Sequence, residues 1–282
     1  MHPTTGSVPA MVADPPGGTD APSLFVADGA RLVPTELARG PWSPEALHGG
    51  AVAAAVVRSV ERSVPEDDGL LLVRTSLELV RPVGTAPLEV VSRVVRPGRR
   101  VQVVDTVVTE GGTEVTWGRS LRMRVDPSGE RVVPTVPEDP APAGPESGVP
   151  VPSTRESWRA FHNEGMEIRF VAGRFDRPGP ATAWFRLRVP VVAGETTSPA
   201  QRAVAAADFG NGIGAELEFA TNSFVNPDLT VSLHRQPVGE WVCLDTRTRF
   251  GPAGVGAAES ALWDEQGRIG RAVQELLVVT GT

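Results

Sequence analysis

The feature that most constrains how this chain folds is a repeat of the same segment order in its two halves. Each half has an Ala-rich run, then a segment carrying Ser-Leu and Pro-Val-Gly, then a hairpin-like segment. These segments lie at 51–57, 76–84 and 107–125 in the first half and at 203–209, 232–239 and 261–279 in the second. Three matches in one order favour a duplication over chance similarity among Ala- and Val-rich segments. The chain is therefore predicted to fold as two copies of one unit.

The hairpin segments show the patterning of antiparallel strands. Residues 87–124 alternate apolar and polar side chains, with turn signals at 97–98 and 110–112. The second half repeats this pattern, with turn signals at 251–252 and 264–267. Period-two alternation broken by Gly turns is typical of antiparallel strands. The Ala-rich run can cover the apolar face of such a sheet, so each half is predicted to be one helix plus an antiparallel meander, in the α+β class.

Two proline-rich segments predict how the chain is divided. Residues 1–22 are rich in Pro, Gly, Thr and Ala, which predicts a flexible N-terminal arm. Residues 126–156 have the composition of a semi-extended linker. The two folded units are then expected at 23–125 and 157–282.

Charge and cysteine usage exclude several classes of protein. The net charge is −7, whereas proteins that bind nucleic acid usually carry a basic face. The single Cys243 excludes an intrachain disulfide and fits a reducing compartment. No apolar run is long enough for a transmembrane helix, and no secretory leader is visible. The four histidines have no metal-ligand spacing. We therefore expect a cytoplasmic protein with no metal and no nucleic-acid or membrane partner.

Six segments in order give the chain a resemblance to a known family. They are LHGGAVAAAVV (47–57), SLELVRPV (76–83), RPGRRVQVVDTVV (96–108), AAADFGNGIG (205–214), NPDLTVSLHRQPVGEW (226–241) and VQELLVV (273–279). Over about residues 24–280, apart from the linker, the chain resembles double-hotdog acyl-CoA thioesterases of the thioesterase II type, most closely an actinobacterial-looking branch. The resemblance implies a curved antiparallel sheet wrapped around a long helix, present in two tandem copies that form a pseudo-dimer. It also implies hydrolysis of fatty acyl-CoA in lipid metabolism, no cofactor, and possible pairing of two chains as a homodimer.

The same resemblance implies a water-positioning trio. Thioesterases of this type use an aspartate, a threonine and a glutamine, and here Asp208 and Gln274 match the first and last. Asn226 stands where the threonine is expected, which predicts slower turnover, and Thr230 is the candidate if the register is shifted. Two structural alternatives stay open. Asp208 could be a buried structural carboxylate, and strand alternation does not decide which face Gln274 takes.

Differences between the two halves predict one composite site. Aligning the Ala-rich runs places Asp208 opposite Val56, and 48–50 opposite 200–202. One half then supplies a carboxylate and the other supplies a bare helix start, so the second pseudo-equivalent site lacks both parts. Free N–H groups at His48-Gly49-Gly50 could hold a thioester oxyanion. Alternatively, the histidine caps the turn and the glycines only allow close packing.

Further assignments stay open on the sequence alone. Arg99 and Arg100 either contact CoA phosphates or form a solvated turn. One rival function is a non-catalytic acyl-thioester-binding protein. Another is a hydratase or dehydratase of acyl thioesters, which typically pairs Asp and His on one segment, whereas the nearest histidine after Asp208 is His234. Acyl-chain length and the choice between CoA and an acyl carrier protein are left open.

Overall fold

A computed structural model describes residues 22–65, 68–126, 128, 140–151, 158–218 and 222–279. All but the last residue of the predicted N-terminal arm lies outside these ranges, as does much of the predicted linker. In the described part of the chain no helix is long and apolar enough to cross a membrane.

The two halves have similar element orders. The first half contains β1 (Phe25–Asp28), β2 (Arg31–Pro34), α1 (Gly49–Arg62), β3 (Leu70–Glu78), β4 (Leu88–Arg96), β5 (Val101–Glu110) and β6 (Thr113–Arg124). The second half contains β7 (Val149–Pro150), β8 (Met166–Ala172), β9 (Ala181–Leu187), α2 (Pro199–Ala207), α3 (Gly210–Ile213), β10 (Ser223–Val225), β11 (Asp228–Leu233), β12 (Val242–Phe250), β13 (Val255–Asp264) and β14 (Gly267–Val279). Short helical turns lie at Glu36–Ala38, Pro145–Ser147 and Phe161–Gly165, the last a π-helical turn.

All strands belong to one antiparallel sheet that runs through both halves. Its order is β1-β2-β4-β5-β6-β3-β11-β14-β13-β12-β9-β8-β7, with β10 pairing onto β14. The two halves join where β3 pairs with β11, so Thr75 lies opposite Val231. The turns between β4 and β5, β5 and β6, β12 and β13, and β13 and β14 fall at the predicted positions. The predicted α+β double hotdog, with two tandem units forming a pseudo-dimer, is confirmed.

The Ala-rich helices fill the space beside this sheet. Helix α1 packs on β4 and β5, α2 packs on β9 and β12, and the two helices contact each other. All side chains of 51–57 are buried. Small side chains keep the helices close, because a Cβ added at Gly50 would lie 2.5 Å from the carbonyl oxygen of Ala205.

The second helix differs from the first in length. Helix α1 has 14 residues, whereas α2 has 9 and ends at Ala207. Asp208 is the C-cap residue, and the chain continues into α3. Gly210 and Gly212 lower helix propensity directly after this point, which fits the break. The second Ala-rich run therefore delivers its carboxylate at a helix end and not in a helix interior.

Part of the proline-rich segment packs against the second half. Residues 149–150 form the edge strand β7 beside β8. Trp184 donates its indole N–H to the carbonyl of Ala143 at 2.7 Å. Trp184 also packs with Trp241, Trp263 and the buried Cys243 in a small apolar cluster. Residues 140–151 thus extend the sheet of the second half.

Candidate active site

The carboxylate of Asp208 lies where the end of α2 meets the start of α1. Its side chain is only 5% exposed. Oδ1 accepts hydrogen bonds from Asn226 Nδ2 at 3.0 Å and from Gln274 Nε2 at 3.1 Å. Oδ2 faces the other half of the molecule and lies 2.9 Å from His48 Nδ1. The two carboxylate oxygens therefore have different environments, one held by amides and one facing the helix start.

Asn211 fixes the orientation of both amides. Its Nδ2 donates to Asn226 Oδ1 at 3.0 Å, and its backbone N–H donates to Gln274 Oε1 at 3.0 Å. With each amide oxygen occupied this way, each amide N–H₂ group points at Asp208. Gln274 is 1% exposed, so its side chain faces the interior side of β14. Of the two faces that strand alternation allowed, Gln274 therefore occupies the buried one.

The start of α1 brings backbone N–H groups to the same place. His48 is the N-cap residue, and the Gly50 N–H donates to its Nδ1 at 3.0 Å. Within the described residues, no acceptor takes the Gly49 N–H. A Cβ at Gly49 would lie 2.7 Å from Asp208 Oδ2, so glycine allows the carboxylate to approach the backbone. The positive end of the helix dipole points at this region and favours negative charge there.

Aromatic rings hold His48 in position. The imidazole lies 5.0 Å from the ring of Phe161 in an edge-on arrangement and 4.5 Å from the ring of Phe209. His48 itself is buried. Packing on two sides restricts rotation of the imidazole, so Nδ1 stays directed at Gly50 and Asp208.

Other predicted residues lie apart from this cluster. The Thr230 hydroxyl donates to Ser76 Oγ at 3.0 Å across the β3–β11 junction. Asn226 therefore takes the place beside Asp208 that was also considered for Thr230. Arg99 and Arg100 are exposed in the turn between β4 and β5, where their carbonyls accept hydrogen bonds from Arg124. Their role in binding CoA stays a prediction.

Two family models match the chain in its two halves. The acyl-CoA thioesterase N-terminal domain matches residues 38–123, and the acyl-CoA thioesterase C-terminal domain matches residues 135–278. The chain belongs to the acyl-CoA thioesterase family. The resemblance predicted from the sequence motifs is thereby confirmed, and thioester hydrolysis is the general activity of this family.

Solved structures share the fold of this thioesterase-family chain. A candidate thioesterase II from Thermobifida fusca has a TM-score of 0.67 and 20% identity, covering 92% of this chain and 95% of that chain. A tesB protein from Mycobacterium avium subspecies paratuberculosis has a TM-score of 0.65 and 16% identity, covering 90% and 96%. A hotdog-fold protein from Alicyclobacillus acidocaldarius has a TM-score of 0.68 and 15% identity, covering 94% and 98%. No curated protein sequence matches the chain.

The pseudo-equivalent position in this acyl-CoA thioesterase fold is filled by a different arrangement. Ser198 is the N-cap residue of α2, as His48 is of α1. Glu61 accepts hydrogen bonds from Ser198 Oγ at 2.6 Å and from Gln201 Nε2 at 2.7 Å. Burial raises the pKa of Glu61, and these two hydrogen bonds oppose that rise. The start of α2 is therefore capped by its own Ser198, and a side chain of the first half holds that cap in place.

Sequence reasoning missed two parts of the site. The first is Asn211, which lies in α3 directly after the end of α2. Its spacing of three residues from Asp208 would place both on one face of a helical turn, and this was the available signal. The second is the direct contact between the His48 imidazole and the Asp208 carboxylate. The differences between the halves predict that the start of α1 and Asp208 share one composite site, and the structure brings the two together, but no pattern indicates that these two side chains touch.

Proposed function

We propose that this chain hydrolyses a fatty acyl-CoA thioester to a free acid and CoA at Asp208, without a cofactor. The observation that carries the proposal is the hydrogen bonding of the two oxygens of the Asp208 carboxylate. One oxygen is saturated by Asn226 and Gln274, and the other is directed at the glycine start of α1. A carboxylate fixed in this way can orient a water molecule and accept its proton.

The geometry supports a division of roles between the halves. Asp208 Oδ2 has a lone pair beyond its contact with His48, and this lone pair can accept a proton from the attacking water. The Gly49 N–H, at the positive end of α1, can donate to the thioester oxygen as negative charge develops on it. When the carbon–sulfur bond breaks, the electron pair leaves with the CoA sulfur, which takes up the proton. Gln274 and Asn226 keep the carboxylate aligned throughout.

Asn226 accounts for the proposed slower turnover. Its amide donates to Asp208 and accepts from Asn211, so both of its functional ends are engaged within the protein. A threonine hydroxyl at this position could donate to Asp208 and leave more room for water. We therefore propose that Asn226 gives an active but slower site.

A second candidate function rests on the pairing of His48 with Asp208. Hydratases and dehydratases of acyl thioesters typically pair an Asp and a His on one segment. Here an Asp and a His from the two halves lie 2.9 Å apart. Hydration of an unsaturated acyl-CoA would leave the thioester intact. Loss of conjugated enoyl absorbance without release of thiol would therefore identify this activity.

The proposed function is tested by following free thiol released from acyl-CoA substrates of short to long chain. We expect Asp208→Asn, which keeps the shape of the side chain but cannot take a proton, to lower kcat by about 10²-fold or more. Asp28→Asn, at the exposed last residue of β1, is the matched control and should match wild type. Asn226→Thr should raise kcat.

Two results would contradict this proposal. Full activity of Asp208→Asn would place the base elsewhere. If the wild type binds acyl-CoA but releases no thiol from any substrate, the chain is the acyl-thioester-binding protein considered above.

A further inference from the structure

Two neighbours of His48 Nδ1 require opposite protonation states of that nitrogen. The Gly50 N–H donates to Nδ1 at 3.0 Å, which requires a lone pair on that nitrogen. Asp208 Oδ2 lies 2.9 Å from the same nitrogen. A carboxylate oxygen at this distance requires a proton between the two atoms. An imidazole nitrogen carries either a lone pair or a proton in its ring plane, so Nδ1 satisfies one neighbour at a time.

Neither the imidazole nor the Asp208 carboxylate is free to rotate away from the other. Phe161 and Phe209 pack on the imidazole and restrict its rotation. Asp208 cannot turn away either, because Oδ1 is held by Asn226 and Gln274. The position of one proton therefore decides how the Gly50 N–H is used.

We propose that His48 is a positioning residue that couples the base to the oxyanion donors. This inference rests on the proposed hydrolysis at Asp208. With a lone pair on Nδ1, the Gly50 N–H is bound to His48 and only the Gly49 N–H is available. With a proton on Nδ1, that nitrogen donates to Asp208 and the Gly50 N–H is released. Two adjacent N–H groups then face the thioester oxygen.

The coupling follows the proton through one catalytic cycle. As the oxygen of water bonds to the thioester carbon, its proton passes to Asp208 Oδ2 and on to His48 Nδ1. The carbonyl π electrons move onto oxygen at the same time, and the released Gly50 N–H donates to that oxygen together with Gly49. When the carbon–sulfur bond breaks, the proton returns through Asp208 to sulfur. The Gly50 N–H then binds Nδ1 again. The second oxyanion donor is thus present when negative charge develops.

Two other ionisable residues lie near His48 in the described part of the chain, Arg39 and His162. Asp208, from the end of α2, is the ionisable side chain in contact with the ring. Arg39 pairs through its backbone with Leu47, while its guanidinium donates to Glu36. His162 follows Phe161 in the chain. The side chains that meet Asp208 from β14 and from the segment before β11 are the neutral amides Gln274 and Asn226.

Two substitutions of His48 distinguish this role from simple helix capping. In His48→Asn the new side chain would be a good N-cap, but its oxygen would bind the Gly50 N–H permanently and could not take up a proton. His48→Ala removes the cap and leaves the Gly50 N–H free. We expect His48→Asn to lower kcat by about 10²-fold with KM little changed, the scale of losing one oxyanion donor. We expect His48→Ala to lose about tenfold, although its melting temperature should be the lower of the two.

A purely structural role predicts the opposite order of activity, since the better cap would preserve the site. Activity of His48→Asn equal to or above that of His48→Ala would therefore overturn the inference. His234→Asn, on the exposed surface near Arg268, is the matched control and should keep wild-type kcat.

A measurement without substrate separates this inference from the proposed function. In a protein with ¹⁵N-labelled histidine and glycine, the Nδ1 signal of His48 reports its proton, and the amide signal of Gly50 reports its hydrogen bond. The two signals should change together, so that whenever Nδ1 carries a proton the Gly50 amide shows no hydrogen bond to that nitrogen. A Gly50 amide that does not respond while Nδ1 gains its proton would overturn the inference, whether or not the protein hydrolyses thioesters.

Discussion

Gly49 and Gly50 are required for two different reasons. The atoms nearest to a Cβ at Gly49 would belong to the side chain of Asp208, with Oδ2 at 2.7 Å. A Cβ at Gly50 would meet the backbone of Ala205 at 2.5 Å and the ring of Phe161 at 3.2 Å. The first glycine therefore leaves room for the Asp208 carboxylate, and the second allows α1 to lie against α2.

Gly49→Ala should consequently affect activity more than stability. The added methyl group would push the Asp208 carboxylate away from the helix start, and misplacement of this kind costs about 10²-fold in rate. We expect such a loss in kcat/KM, with a melting temperature near that of wild type. Gly212→Ala is the control, because a Cβ there meets no atom within 4 Å. It should keep activity and gain about 0.4–1 kcal/mol of unfolding free energy. Wild-type activity in Gly49→Ala would place the reacting atoms elsewhere.

Residues that a motif indicates could be found from sequence, and residues that only the fold brings together could not. Asp208, Gln274 and Asn226 lie at the positions expected from the resemblance, and they share a hydrogen-bond network. The partnership of His48 with Asp208 depends on how two helices from different halves meet. Such long-range contacts leave no periodic signal in the chain.

At the scale of elements, polar pairs hold α1 and α2 together at both ends. At one end His48 of α1 meets Asp208 of α2. At the other, Glu61 accepts hydrogen bonds from the side chains of Ser198 and Gln201 at the start of α2. Arg58 forms a paired salt bridge with Glu195 just before that start. The arginine and its hydrogen bonds keep the pKa of Glu195 below its ordinary value. The helix pair is therefore fixed in register as well as packed through small side chains.

The burial of Glu61 beside the start of α2 predicts a specific pH dependence of stability. Because burial raises the pKa of Glu61 in the folded state, the folded protein holds its proton more tightly than the unfolded chain. The unfolding free energy contributed by this group is then greatest below the ordinary value of 4.5 and falls as pH rises through the raised pKa. Glu61→Gln should remove this fall.

The measurement is denaturant unfolding of wild type and Glu61→Gln across this pH range. The difference in unfolding free energy should change with pH in favour of the variant and then level off. Glu45→Gln, at an exposed position, is the control for loss of a carboxylate. A difference between Glu61→Gln and wild type that does not change with pH would mean that Glu61 ionises equally in both states.

Strands and helices could be predicted where the apolar–polar pattern of the sequence is regular. The prediction was wrong where tertiary packing overrides local composition. The turns at 97–98, 110–112 and 264–267 follow from glycine and period-two alternation. Strand β7 lies in a segment whose prolines indicate a linker, yet an edge strand tolerates proline because one side of it needs no hydrogen bonds. The early end of α2 was also missed, because the Ala-rich pattern continues to Phe209 in sequence.

At the scale of the whole molecule, the reactivity of the single cysteine shows whether the second half is folded. Cys243 lies in β12, fully buried among Trp184, Trp241 and Trp263. Burial raises the pKa of its thiol far above the ordinary range. The thiolate form that reacts with disulfide reagents is therefore suppressed as long as the sheet is intact.

We expect native protein to react with an aromatic disulfide reagent only on the timescale of unfolding. In denaturant one thiol per chain should react rapidly. This also means that the thiol-release assay reads CoA without background from the protein. Rapid labelling of the native protein would contradict the packing of this cluster.

Both parts of the site belong to one polypeptide, and the pairing of β3 with β11 joins the two halves that carry them. In a hotdog protein assembled from two separate chains, the contact between a helix start and a facing carboxylate is lost whenever the subunits dissociate. Here His48 and Asp208 meet at an effective concentration set by the fold, independent of how dilute the protein becomes. The rate per molecule should accordingly stay constant on dilution. Because each half has its own sequence, Asp208 at the end of α2 can face the bare glycine start of α1 while Glu61 near the end of α1 is bound by the side chains of Ser198 and Gln201.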